Sequence, residues 1–107
     1  MKLMDWNIEE LTGYKPVTTF YTDFSIADGY GIAGIKDTCK RVFEAWKDDV
    51  EFLTEFVMVL NWKSWEHYDS GHKEISDLYA DLFYKYRDWC LKNLKGDDLT
   101  YFFETTD

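Results

Sequence analysis

Glu66, His67 and His72 are the one close-set group of metal-ligand residue types in this sequence, spaced E-H-x-x-x-x-H. A zinc site on a helix takes two ligands from one face, three or four residues apart, and a third from elsewhere. His67 and His72 are five apart, with the turn-forming Gly71 between them. The three are therefore a weak candidate metal set, and His67 reads better as a hydrogen-bonded histidine at the core edge. Nucleophilic catalysis has less support. Ser25, Ser64, Ser70 and Ser76 lie in no G-x-S-x-G context, and neither Cys39 nor Cys90 has a histidine nearby in sequence. There is no phosphate loop and no dinucleotide fingerprint. The expectation is no catalytic residue, no cofactor and no enzyme activity.

The elements that would position any such group are helices. Across Val50 to Tyr68, residues Phe52, Leu53, Phe56, Val57 and Leu60 recur on one face at helical spacing, with Val59 beside them. Met58, Trp62 and Trp65 lie at i, i+4 and i+7 on another face, with Glu55 and Glu66 in the gap, so this helix is apolar on two sides. An ordinary surface helix is apolar on one. The rest of the chain is expected to pack around it.

Before it, Asn7 caps a short helix, Ile8 to Thr12, which Gly13 ends and Pro16 keeps from resuming. Phe20, Phe24, Ala27 and Tyr30 then favour a helix from Thr19, although residues 17 to 22 also suit an extended strand; Gly29 and Gly31 punctuate the chain around Tyr30. Ile32 to Lys47 is amphipathic through Ile32, Ile35, Cys39, Val42, Phe43 and Trp46, and Asp48 with Glu51 resembles a capping box for the central helix. After Asp69-Ser70-Gly71, a long helix runs from about Lys73 to Leu94 on Ile75, Leu78, Tyr79, Leu82, Phe83, Tyr86, Trp89 and Cys90. Asp81 with Lys85 and Asp88 with Lys92 stand at pairing distance on its outer face. Gly96 ends it, and Asp97 starts a short final helix to about Glu104, with an extended 99 to 106 as the alternative. The expected fold is all-α: a single helical domain over 1–107, an irregular bundle of three long helices and two or three short ones.

Composition bounds the function. Hydrophobic residues make up 46% and aromatics 20% of the chain, too much for a disordered acidic segment, so the net charge of -9 belongs to the surface of a globular protein. That charge opposes direct binding to nucleic acid or anionic lipid and tolerates a basic partner. The acidic start and the short uncharged run from Phe56 to Trp62 give the expectation of neither signal peptide nor membrane span. Cys39 and Cys90, each on an apolar stripe, read as reduced core thiols and so as cytoplasmic.

Three pieces, Asp23-Phe24-Ser25-Ile26-Ala27-Asp28, Val57-Met58-Val59-Leu60-Asn61-Trp62, and Asn93-Leu94-Lys95-Gly96-Asp97-Asp98-Leu99 with the terminal Thr105-Thr106-Asp107, give a likeness over nearly the whole chain. Together they resemble a family of small uncharacterised acidic proteins carried on conjugative elements and prophages of low-GC Gram-positive bacteria. The resemblance implies a mobile-element setting. None of these motifs has an assigned chemistry, so no site residue is carried over.

The aromatic surplus points to a surface. With five Trp, eight Tyr and eight Phe, some large rings must lie outside the core, and Met58, Trp62 and Trp65 are the first candidates for a binding face. The expected role is a cytosolic protein-interaction module, an adaptor or host-modulating factor of a mobile element, whose partner is a protein, basic where charge selects it, or a second copy. The competing reading of that face is that Ile8 to Thr12 or the final helix covers it. The alternative function is an acidic DNA mimic that inhibits a restriction, nuclease or other nucleic-acid enzyme. Against it, residues 73 to 95 carry more base than acid, and much of the acid sits at helix starts, where the dipole favours it. An enzyme or metal-binding protein comes third.

Overall fold

In the computed structural model, which describes residues 15 to 106, every regular element is a helix: α1 Lys15–Asp28, α2 Gly31–Trp46, α3 Val50–Asp69, α4 Lys73–Asn93 and α5 Asp97–Thr106. The Ile8 to Thr12 helix lies outside the described residues. The stretches left open between helix and strand, 17 to 22 and 99 to 106, are helical. Pro16 falls in the first turn of α1, where its missing N–H removes no helical hydrogen bond, so that helix starts earlier than the aromatic spacing alone implies.

α3 is the hub. It packs against each of the other four helices, most extensively against α4 and α1. Leu53, Phe56, Val57, Val59 and Leu60 of α3 are fully buried, and around them close Phe24, Ile35, Cys39, Tyr79, Cys90 and Phe102, at least one from each other helix. Phe56 sits at the meeting point, with ring centroids 6.2 Å from Phe24, 6.5 Å from Phe43 and 4.9 Å from Tyr86. Burial pushes the thiols of Cys39 and Cys90 up to about 12, so both are protonated and inert near neutral pH.

Several local expectations are corrected. The cap of α3 is Asp49, not Asp48: its carboxylate accepts from the N–H groups of Glu51 and Phe52, and Asp48 stays in the preceding turn. Tyr30 is 77% exposed because the chain turns there, so it leaves the stripe begun by Phe20, Phe24 and Ala27. Of the two glycines beside it, Gly31 takes the left-handed conformation at φ 75° and Gly29 does not. On α4, the ion pair among the described residues is Lys73 with Asp77 at 2.8 Å, not Asp81 with Lys85 or Asp88 with Lys92. The Lys85 ammonium lies instead over the Tyr86 ring, 5.3 Å from its centroid. Glu55, placed in the gap between the two apolar faces of α3, is buried.

Candidate functional site

The chain brings its chemistry-bearing side chains together in a buried polar cluster where α1, α3 and α4 meet. Lys63 lies one turn beyond Leu60 on the core stripe of α3, so its side chain enters the interior and is 1% exposed. An isolated buried ammonium would be costly, and carboxylates must compensate it. Its Nζ is 2.8 Å from Asp28 Oδ2 and 2.6 Å from Glu66 Oε2, with Ser25 Oγ at 3.4 Å and the Tyr21 ring centroid at 4.9 Å. Asp28 receives three donors: Lys63, the Tyr79 hydroxyl at 2.5 Å on Oδ1, and His67 Nε2 at 2.9 Å on Oδ2. The Tyr21 hydroxyl donates to Glu66 Oε1.

The charges follow from this arrangement. Burial alone would lower the basicity of Lys63, but hydrogen bonds to Asp28 and Glu66 outweigh it and hold the ammonium above its ordinary range. Burial would raise Asp28 as well, yet Lys63, Tyr79 and His67 together hold it below the usual carboxylate range. Glu66 is likewise depressed: Lys63 and Tyr21 overcome its burial. Tyr79 is pushed up, first by burial and then by its bond to Asp28, so it stays a donor. With Asp28 ionised, the Nε2–H of His67 donates to it. His67 Nδ1 in turn lies 3.1 Å from His72 Nδ1, within hydrogen-bond reach.

The metal candidates are partly regrouped by the fold. Glu66 and His67 do converge, but with Asp28 rather than His72: the three ligand atoms lie within 4.8 Å of one another. Lys63 Nζ stands against both carboxylates, so the place a cation would take between them is held by the protein's own ammonium. His72 reaches the cluster only through His67. Sequence reasoning passed over Lys63, Asp28, Tyr21 and Tyr79. Their joint signal is a lone lysine on the apolar stripe of α3 and an acid at the end of the inward face of α1. With an ammonium locked to two ionised carboxylates, the cluster is a three-helix clamp that joins α1, α3 and α4.

This clamp has a pH signature. Asp28 and Glu66 are depressed in the folded state, so their contribution is present above about pH 4.5 and is lost as pH falls through their folded values. Lys63 is raised, so its contribution is complete below about pH 10 and is lost as pH rises through its folded value. Urea unfolding of wild type and Lys63→Met across pH should therefore show a constant wild-type advantage between about pH 5 and 9 that shrinks at both ends. An advantage that persisted unchanged at pH 3 would refute the ion-pair origin.

Beside the clamp, an open groove of about 660 Å³ runs along the other apolar face of α3. Met58, Trp62 and Trp65 line it together with Phe83 of α4 and with Glu66, whose carboxylate is held by Lys63, and Asp69. Met58 is half-buried, while Trp62 and Trp65 are 49% and 59% exposed. The final helix packs on α3, but at this groove it supplies only Thr105 and Thr106 from its last turn, a wall and not a lid. No lysine or arginine among the described residues lines the groove, and two helices end there, adding the negative ends of their dipoles.

Comparison with protein-family models, with curated proteins and with solved structures finds no match to this chain. No helix among the described residues is long and apolar enough to cross a membrane.

Proposed function

We propose that this protein is a protein-interaction module whose docking surface is the groove lined by Met58, Trp62 and Trp65. The observation that carries this reading is the half-exposure of two tryptophans, four residues or fewer apart, along a concave apolar surface. Trp is enriched at the centres of interfaces because it brings a large apolar area at low entropic cost. Asp69 and the two helix ends favour a partner that offers lysine or arginine beside its apolar contact. The likeness to proteins of mobile elements makes a cytosolic host or element protein the natural partner. The clamp serves this role indirectly, since Glu66 belongs both to the clamp and to the groove wall. A second reading as a DNA mimic has weaker support, because exposed tryptophans do not imitate a phosphate ladder.

Trp62→Ala tests the proposal. Half of its ring is already in water, so the substitution should lower monomer stability by only about 1 kcal/mol. Truncating an interface tryptophan costs about 2 kcal/mol or more of binding, a loss of roughly thirtyfold in affinity. Calorimetric melting of both proteins, with sedimentation and capture of partners from the host, separates the two effects. A large fall in melting temperature with the same bound partners would make this face ordinary core.

A further inference from the structure

A second groove, between α2 and α4, has the opposite electrical character. Lys36, Lys40 and Lys85 surround it, and Phe43, Tyr86 and Trp89 supply its aromatic lining, in a volume of about 520 Å³. Lys36 and Lys40 are one turn apart on α2, and Lys85 and Trp89 are one turn apart on α4, so both helices present a cation and a ring to the same space. Among the described residues the one carboxylate lining it, Glu44, is bound by Lys47 at 3.1 Å. None of Lys36, Lys40 and Lys85 is ion-paired among the described residues. Lys63 by contrast has two carboxylates and Lys47 and Lys73 one each, while Lys92 and Lys95, like the groove lysines, have no ion pair among the described residues.

We infer that this groove binds a small polyanion with a flat ring, a nucleoside di- or triphosphate. Three lysines that line one groove and have no ion pair among the described residues offer charge to phosphate oxygens, which lysine binds as a point charge. The edge-on packing of Phe43 against Trp89, with centroids 4.9 Å apart, and the Lys85 ammonium over Tyr86 make a rigid aromatic patch beside that charge. The volume is that of a small-ligand site. A nucleic-acid strand fits less well, because the net charge of -9 would repel its flanking phosphates whereas a single nucleotide meets the groove alone. The site is separate from the Trp62 and Trp65 groove and does not depend on the interaction reading.

The test is calorimetric titration of the full chain with adenosine triphosphate, inorganic tripolyphosphate and adenosine. Heteronuclear spectra of the tryptophan indole N–H groups locate the site. Adenosine triphosphate should bind about tenfold more tightly than tripolyphosphate, through stacking, and adenosine alone should bind more weakly than either. The Trp89 resonance should move while those of Trp62 and Trp65 stay in place. Lys40→Gln should weaken binding by about threefold to fivefold, and the triple replacement Lys36→Gln, Lys40→Gln and Lys85→Gln should abolish it. Both lysine variants should keep the helical circular dichroism of the wild type, since the three side chains are exposed. Raising salt from about 50 to about 200 mM should weaken the complex. No binding at about 1 mM, equal affinity for tripolyphosphate, or a triple variant that is folded and still binds would each overturn the inference.

Discussion

Replacing Lys63 by methionine is expected to destabilise the protein by about 3 kcal/mol, although the substitution keeps nearly all of the apolar stem. The loss comes from what stays behind. Asp28 and Glu66 would face each other without the ammonium that now lies 2.8 and 2.6 Å from them. Removing one member of a fully buried pair costs about 3 to 5 kcal/mol, and the lower end applies because the Asp28 and Glu66 side chains keep 20% and 34% of their exposure and can recover some hydration. Adding Asp28→Asn and Glu66→Gln to Lys63→Met should restore a large part of the loss, since amides can still bond Tyr79, His67 and Tyr21 without an uncompensated charge. Chemical denaturation of the single and triple variants measures this. A triple variant no more stable than Lys63→Met would show that the stem geometry, not the charge, holds the helices together.

That clamp also marks where sequence reading stops. The central helix, its two apolar faces and the long stripe of α4 were legible because each repeats over several turns, and helical period is the most robust pattern a chain carries. The candidate face was legible for the same reason: Met58, Trp62 and Trp65 fall outside the stripe of Phe56 and Leu60, and the fold leaves the two tryptophans half-exposed. The polar cluster was not. Lys63 breaks the stripe at a single position, and its partner Asp28, like the Tyr79 that bonds Asp28, comes from another helix whose rotation about α3 no local pattern specifies. The surface pairs on α4 failed for a related reason. Spacing of four permits a salt bridge but contributes only about 0.2 to 0.5 kcal/mol, so Lys85 lies over an aromatic ring instead. The one-residue shift of the α3 cap to Asp49 is of the same kind, since adjacent acids compete for one role and the turn geometry chooses.

The largest single-site effect is expected at Phe56, where truncation to alanine should cost about 3 to 5 kcal/mol. Phe56 is fully buried, and its ring meets one aromatic from each of three other helices: Phe24 of α1, Phe43 of α2 and Tyr86 of α4. A cavity at such a junction cannot close by the shift of one helix, because moving α1 inward would pull Asp28 away from Lys63 and Tyr79, to which the clamp ties it. The upper half of the range therefore applies. Phe103→Ala is the matched control: the same atoms are removed from a ring that is 50% exposed, and the change should stay within about 1 kcal/mol. Because Phe56 lines neither groove, a Phe56→Ala protein held well below its lowered melting temperature should still bind whatever docks on Trp62 and Trp65. Denaturation midpoints for the two phenylalanine variants decide the matter. A Phe56→Ala cost no larger than that of Phe103→Ala would mean that α1, α2 and α4 do not share one rigid core around α3.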